Sequence, residues 1–418
     1  MKFSQLLIFL SFALMFSKCS LKTKTKITNS KDYNNYLVNN VSNTVKNDFK
    51  ITTEQLLLND PTNVALLSSS WVLIDIKEVK AKIELENKAN KFKNLNHLRA
   101  LAKSSILLNN SIDALNYLNE AEGLETNSDE NNLLFVDLYL STDQLNEAEA
   151  YLAKNININS FDYLIRLAIY NKKKGNLKLA LDNLETSLEI ALGDNNQQRL
   201  EFNYLQLADF YLELGDVQKS YQFYLKTLDI NTNNVFAKKG LAWIAFSFEK
   251  NTEEALRILN SIEQENRSPN YYLLKAEIAA YKNDTNEKDL QLNTYLALMN
   301  YTNYDELSAK EQIRYLSSKE ESKRQALAIA KKEFAKRPTL QSYHMLAWAY
   351  YSNGNYLQSV KIAKNHLLGK TFDPQILLDV AKILKIEGRT NEVLELRDNL
   401  LSSIYKLGPN AEKEIRNL

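Results

Sequence analysis

Cysteine occurs once in 418 residues, at Cys19, so the chain can form no internal disulfide and cannot hold a metal between paired thiolates. Histidine is nearly as scarce. His97, His344 and His366 lie far apart, and none has another His or Cys at metal-ligand spacing. Glycine (9) and proline (5) fall well below ordinary usage, which argues against an all-β fold with many tight turns and for long helices. An excess of one charge is also lacking: 52 basic residues face 51 acidic ones, for a formal charge of +1. Without Lys2 and Lys18, which lie in a segment expected to be removed, the balance is 50 against 51. That near-neutrality lacks the footprint of a nucleic-acid binder, and no nucleic-acid partner is expected. No Gly-x-Ser-x-Gly, phosphate-cradling glycine loop or His-Glu-x-x-His occurs. The expectation is therefore a protein that is not an enzyme, with no catalytic, cofactor or metal residues and no small-molecule ligand.

What is present is recurrence. Gly240 begins GLAWIAFSFEKNTEEAL, and Met345 begins MLAWAYYSNGNYLQS. A small residue recurs inside each second helical run: Ala114, Ala148 and Ala180 are 34 and 32 residues apart, Ser220 and Ala255 follow, and Ser359 and Val393 are again 34 apart. About twelve residues before most of these stands a Leu-Ala pair, at Leu101-Ala102, Leu167-Ala168, Leu207-Ala208, Leu241-Ala242 and Leu346-Ala347. Small side chains at both slots let two antiparallel helices approach closely. Gly175, Gly215, Gly354 and Gly388 each fall seven residues after a first-helix alanine, where a helix ends in a left-handed residue. Hydrophobic content of 44% and charge of 25% suit a folded chain, and a period near 34 makes 418 residues a repeat array instead of several globular cores.

Leu-small and Tyr in the first helix, Gly in the turn and small-xxx-aromatic in the second resemble a tetratricopeptide repeat. NYLQLADFYLELGDVQKSYQFYLKTL (Asn203 to Leu228) and YHMLAWAYYSNGNYLQSVKIA (Tyr343 to Ala363) carry the resemblance best. It implies an all-α, right-handed α-solenoid of antiparallel helix pairs, about nine hairpins in a single open spiral. Another helical-hairpin solenoid of similar period is the alternative. The repeats are in phase over 95–262 and 319–400, with the C-terminal array and its capping helix expected over 319–418. Residues 32–94 read as degenerate opening repeats. Residues 263–318, with KNDTNEKD in place of a clean turn, read as irregular helices whose starts are marked by SAKE and SKEE.

MKFSQLLIFLSFALMFSKCS places Lys2 before an apolar core from Leu6 to Phe16, too short to span a bilayer and suited to an export signal over 1–19. The segment resembles a bacterial lipoprotein signal with Cys19 as the lipidated residue, although Lys18 stands where a small residue is expected; plain secretion is the alternative. Residues 20–31 are polar and read as a tether. The expected location is the cell envelope, lipid-anchored to a membrane, or outside the cell.

The resemblance implies a concave groove lined by first helices that holds a partner protein or extended peptide. Phe236, Trp243 and Phe246 form one aromatic group on such a helix, and His344, Trp348 and Tyr351 another; these six are the expected partner-binding residues, with packing against the next repeat as the bland alternative. Trp71 reads as packing. Family members that clamp a carboxylate terminus use Lys, Asn and Arg; the matching lining here includes Arg99, Lys103, Asp137, Asp162 and Asp209, which disfavours that mode. A glycan-binding lipoprotein of a nutrient-uptake system is the second functional reading.

Overall fold

The computed structural model describes residues 26–37, 72–89, 94–265, 270–301, 305–388 and 390–418. The signal at 1–19 with Cys19, the first part of the tether, and Trp71 lie outside the described residues.

After α1 (Ser30–Leu37) and α2 (Val72–Ala89), nine hairpins follow among the described residues. They are α3 (Leu95–Leu107) with α4 (Ser111–Leu124), α5 (Asp129–Ser141) with α6 (Leu145–Leu152), and α7 (Phe161–Lys173) with α8 (Leu177–Gly193). Next come α9 (Gln197–Glu213) with α10 (Val217–Ile230), α11 (Val235–Ser247) with α12 (Thr252–Glu265), and α13 (Asn270–Tyr281) with α14 (Thr285–Tyr301). The series ends with α15 (Asp305–Ser317) and α16 (Lys323–Lys336), α17 (Leu340–Ser352) and α18 (Tyr356–Ile362), and α19 (Pro374–Leu384) and α20 (Asn391–Leu401). A last helix, α21 (Ile404–Arg416), is kinked at Gly408. No strand occurs among the described residues. The chain is an all-α solenoid of helix pairs, most first helices also packing against the first helix of the next pair.

Side-chain caps start the helices. Ser128 accepts from Asn131 N, Ser160 from Tyr163 N and Asn234 from Ala237 N, each satisfying a donor with no partner inside its helix. Thr339 and Ser342 form a reciprocal capping box. The small slots do what their size predicts. Ala102, Ala114, Ala208 and Ser220 are fully buried, and Ser359 Oγ donates to the Ala347 carbonyl at 2.8 Å, which only a short side chain at close helix approach can do. Gly240 keeps its own close approach for a related reason: a Cβ there would stand 2.2 Å from the Tyr224 ring.

The turn slot is more regular than the glycines suggest. Positive φ occurs at Gly175, Gly215, Gly354 and Gly388, and equally at Asn109, Asp143, Lys250 and Asn283. Asn and Asp tolerate this region better than other non-glycine residues, which lets them fill the same slot. Residues 263–318, expected to be irregular, accordingly contain the regular hairpin α13–α14 turning at Asn283.

The open spiral needs correction, because the solenoid closes on itself. Helix α21 packs against α9, α11, α13 and α19. Trp243 Nε1 donates to the Tyr405 carbonyl at 2.8 Å, Lys250 pairs with Glu412 at 2.9 Å, and Asn410 donates to Glu277 Oε2 at 2.8 Å. Across the seam, Arg337 reaches the Asn109 carbonyl at 3.5 Å, Leu340 N donates to Asp143 Oδ2 at 3.2 Å, and the Phe372 ring covers Gly175. C-terminal residues thus touch the turns of the first three hairpins in order.

The N-terminal segment also docks. Glu249 accepts from Ile27 N at 2.8 Å, Thr28 N at 2.6 Å and Thr28 Oγ1 at 2.7 Å. Tyr33 donates to Glu254 and Tyr36 to Asp229, both at 2.5 Å, and Tyr33 is buried against α10 to α12. The stretch expected to be a tether therefore holds a seated segment from residue 27, and α1 lies beside α10 and α12 instead of beside α2.

Candidate binding lumen

First helices carry a ladder of opposite charges from hairpin to hairpin. Lys103 on α3 donates to Asp137 on α5 at 2.6 Å, and Arg166 on α7 donates to both Asp137 oxygens at 2.9 and 2.8 Å. Arg199 on α9 reaches back to Asp162 at 3.2 Å. Burial would push the Asp137 carboxyl up, but Arg166 and Lys103 outweigh it and hold it below the usual range. Lys103 and Asp137, read from sequence as groove lining, are spent on this ladder. Arg99 is likewise buried, donating to Asn131 at 2.9 Å and pairing with Glu125 at 2.5 Å.

A second network joins the C-terminal repeats. Asp379 on α19 accepts from Arg314 at 2.5 Å and meets His344 Nε2 at 2.8 Å, with both His344 and Asp379 buried. Burial again opposes the charge, yet Arg314 and His344 hold Asp379 well below the ordinary carboxylate range.

Two connected spaces remain. A cleft of about 1120 Å³ follows the seam between the early hairpin turns and residues 336–345 and 370–376. Ile112, Leu115, Leu145 and Phe372 give it apolar wall; Lys172, Lys173, Lys336 and Lys370 stand along it. Past Gln206, Glu311, Gln375 and Lys406, which line both spaces, a chamber of about 610 Å³ opens between α9, α11, α13, α15 and α21. First helices supply most of its wall, as the repeat geometry implies.

The six expected partner-binding residues separate into two places and different roles. Phe236 and Trp243 line the chamber, but Trp243 is covered by α21. Phe246 is fully buried and meets Trp243 edge-on at 5.8 Å, so it belongs to the core. His344 is buried against Asp379. Both are corrections with one cause: on a first helix the next pair covers more of the circumference than the Leu-Ala stripe alone suggests. Trp348 and Tyr351 are half-buried and stack at 5.3 Å, with Arg314 and Lys382 over the indole at 5.2 and 5.4 Å.

Sequence reading missed the charged chamber residues Lys239, Lys310, Glu311 and Lys406. Lys239 was within reach, since it lies four residues before Trp243 and three after Phe236 on one helix face. Lys310 and Glu311 lie in the stretch 263–318, whose pattern departs from the repeat, and Lys406 reaches the chamber only because α21 folds back.

No family model and no curated protein matches the sequence. Among solved structures, human IFIT1 bound to PPP-AAAA aligns at 15% identity over 82% of this chain and 84% of that one, with a TM-score of 0.43. The Cut9 and Hcn1 hetero-tetramer of the APC/C aligns at 14% identity over 87% and 85%, with a TM-score of 0.36. A tetratricopeptide repeat protein from Parabacteroides merdae aligns at 16% identity over 73% of this chain and 98% of that chain, with a TM-score of 0.33. The overlaps are long and loose, and nothing about a ligand follows from them.

Proposed function

We propose that the chain is a non-catalytic scaffold that holds an extended segment of a partner protein in the seam cleft. The observation that carries this reading is the cleft itself. At about 1120 Å³ it exceeds the roughly 300–1,000 Å³ of ordinary small-molecule pockets, and it is a long trough instead of a closed cup. Its exposed apolar side chains, Ile112 and Phe372 among them, share the wall with charges of both signs. Lys172 pairs there with Glu213 and Lys173 with Asp143, a mixture that suits an extended peptide of apolar and charged residues. Export and lipid attachment at Cys19 are part of the same proposal and rest on the signal-like opening of the sequence. Glycan binding at Trp348 is the weaker reading, because Arg314 and Lys382 already lie over its ring.

A photo-crosslinker at Leu115 in the cleft is compared with one at Leu179, an exposed residue on α8 outside it. A defined protein adduct at Leu115 that is absent at Leu179 supports the cleft. Equal adducts at both positions overturn it. Membrane fractionation and palmitate labelling of Cys19→Ser test the anchor separately: unchanged labelling removes that part alone.

A further inference from the structure

The chamber beyond the cleft gathers lysines from distant parts of the chain. Several wall residues are already engaged: Asp209 accepts from the Tyr224 hydroxyl at 2.5 Å, Arg314 holds Asp379, and Glu277 holds Asn410. Lys239, Lys288, Lys310 and Lys406 also line it or its mouth, and among the described residues none makes a side-chain hydrogen bond or ion pair. Glu311 makes no side-chain ion pair among the described residues but lies within electrostatic reach of Lys310, Arg314 and Lys239. Tyr224 and Asn410 are neutral, so Asp209 and Glu277 keep their charge, and four ammonium groups facing three carboxylates leave the wall a small positive excess.

Each of the four lysines is half-buried, where an ammonium gives up part of its hydration. Burial pushes the Lys239 ammonium down against the pull of Asp209, and pushes the Glu311 carboxyl up against the pull of Lys310, Arg314 and Lys239. A chain that only needed to pack could have filled these positions with apolar residues, as it does at Leu205, Leu274 and Leu292 in the same wall. The lysines come from helices far apart in sequence: α11, α14, α15 and α21. Their convergence depends on the C-terminal helix folding back, so closure of the solenoid builds the chamber.

We propose that this chamber binds an organic anion, its carboxylate or phosphate group held by Lys239, Lys310 and Lys406, with Asp209 and Glu311 as carboxyl neighbours. The volume of about 610 Å³ lies within the small-molecule range. This departs from the expectation of no small-molecule ligand, which came from motifs and could not see residues gathered from four separate helices. The site rests on the chamber and not on the cleft reading, although the two spaces connect. The anion therefore has two sources: a free acid, or an acidic group on the segment lying in the cleft.

Citrate and inorganic phosphate are titrated into the full chain by calorimetry, with sodium chloride matched for ionic strength. Trp243 lines the chamber, so tryptophan emission gives a second readout. The expected result is saturable binding of citrate or phosphate that chloride does not reproduce, weakened roughly tenfold or more in Lys239→Met/Lys406→Met, since charge-assisted bonds are the strong ones. Lys310→Gln, at the chamber mouth, should weaken it as well and keeps the test decisive if the double variant fails to fold. Chloride acting like citrate, or a folded variant binding as tightly as wild type, overturns the proposal. A peptide ending in two glutamates is compared with its neutral glutamine counterpart. Tighter binding of the acidic peptide, abolished in the double variant, makes the cleft segment the source; a citrate response without that discrimination makes it a free acid. An intact Leu115 adduct in the double variant separates failure of this site from failure of the cleft.

Discussion

The ring of Phe372 occupies the space that a side chain on Gly175 would need: a Cβ there would stand 2.7 Å from Cε1 of the ring. Gly175 also sits at φ 79, ending the first helix of the third hairpin, while Phe372 leads into the last hairpin. One glycine therefore serves two levels of structure. It turns a local hairpin, and it gives the C-terminal repeats a place to land on the N-terminal ones.

Gly175→Ala should show both costs, and Gly354→Ala separates them. Gly354 has φ 74 but nothing within 4 Å of its Cβ position, so alanine there meets only the left-handed strain, about 1–2 kcal/mol. Gly175→Ala should cost more than that. The excess should vanish in a Phe372→Ala background, where the ring is gone. Denaturant unfolding of the four variants measures this. Equal losses at Gly175 and Gly354 would mean that Phe372 swings aside freely and the seam contact is weak.

Trp243→Ala should release the C-terminal helix. The indole donates to the Tyr405 carbonyl and lies against Gly408, where a Cβ would be 2.8 Å from its ring. Truncating a packed tryptophan costs about 3–5 kcal/mol, and half-burial places this one near the lower figure. The loss should be local. Hydrogen exchange is expected to rise in residues 404–416 while α3 to α8 keep their protection; uniform loss across the array would refute the clasp.

Asp137→Ala tests the charge ladder. Removing the carboxylate leaves Lys103 and Arg166 buried and facing each other, and breaking a buried pair in this way costs about 3–5 kcal/mol. Replacing all three with apolar residues of similar size should recover much of it. Unfolding midpoints of the single and triple variants decide the point: a triple variant no better than the single would mean that the ladder adds net stability.

The hairpins were legible because their determinants are local. The Leu-Ala pairs, the small slots at a period near 34 and four glycines at one phase each report a constraint met within one helix pair. The turns at Asn109, Asp143, Lys250 and Asn283 were harder to read, since the slot demands a conformation and several residue types adopt it at differing cost. Closure was not legible. Whether Phe372 meets Gly175 depends on small rotations accumulated over six repeats, and no local pattern encodes that sum. The chamber inherits the same opacity, because Lys239 and Lys406 are 167 positions apart. Trp243 and Trp348 are conspicuous in the sequence, but exposure depends on what the next helix, or the chain's own terminus, lays over them.

Acid should weaken the C-terminal repeats through Asp379. Arg314 and His344 hold its carboxyl well below the ordinary value despite burial, so the folded state favours the ionised form. A depressed carboxylate contributes stability that is present in full above its unfolded value, about pH 4, and is lost as pH falls towards the folded value. Below about pH 4 stability should therefore decline with each step in wild type. Asp379→Asn should be less stable near neutrality and show a flatter decline in that window. Parallel acid profiles for the two proteins would remove Asp379 from the account.

Alkali should undo the N-terminal docking by the opposite sign. The hydrogen bond to Asp229, with burial second, pushes the Tyr36 phenol from its usual 10.0 up to about 12. Burial and Glu254 raise Tyr33 further, and burial raises Tyr221 despite its bond to Asn29, with Asp32 adding to the rise. Raised values mean that the docked state favours neutral phenols, so their contribution is complete below pH 10 and is lost as pH climbs through about 12 for Tyr36. Glu249→Ala offers the comparison, because it removes the acceptor that holds Ile27 and Thr28. Tyrosinate absorbance should rise late for these residues in wild type and nearer pH 10 in Glu249→Ala. Coincident titration curves would mean that the segment stays seated without Glu249, and that the tyrosines, not the carboxylate, fasten it.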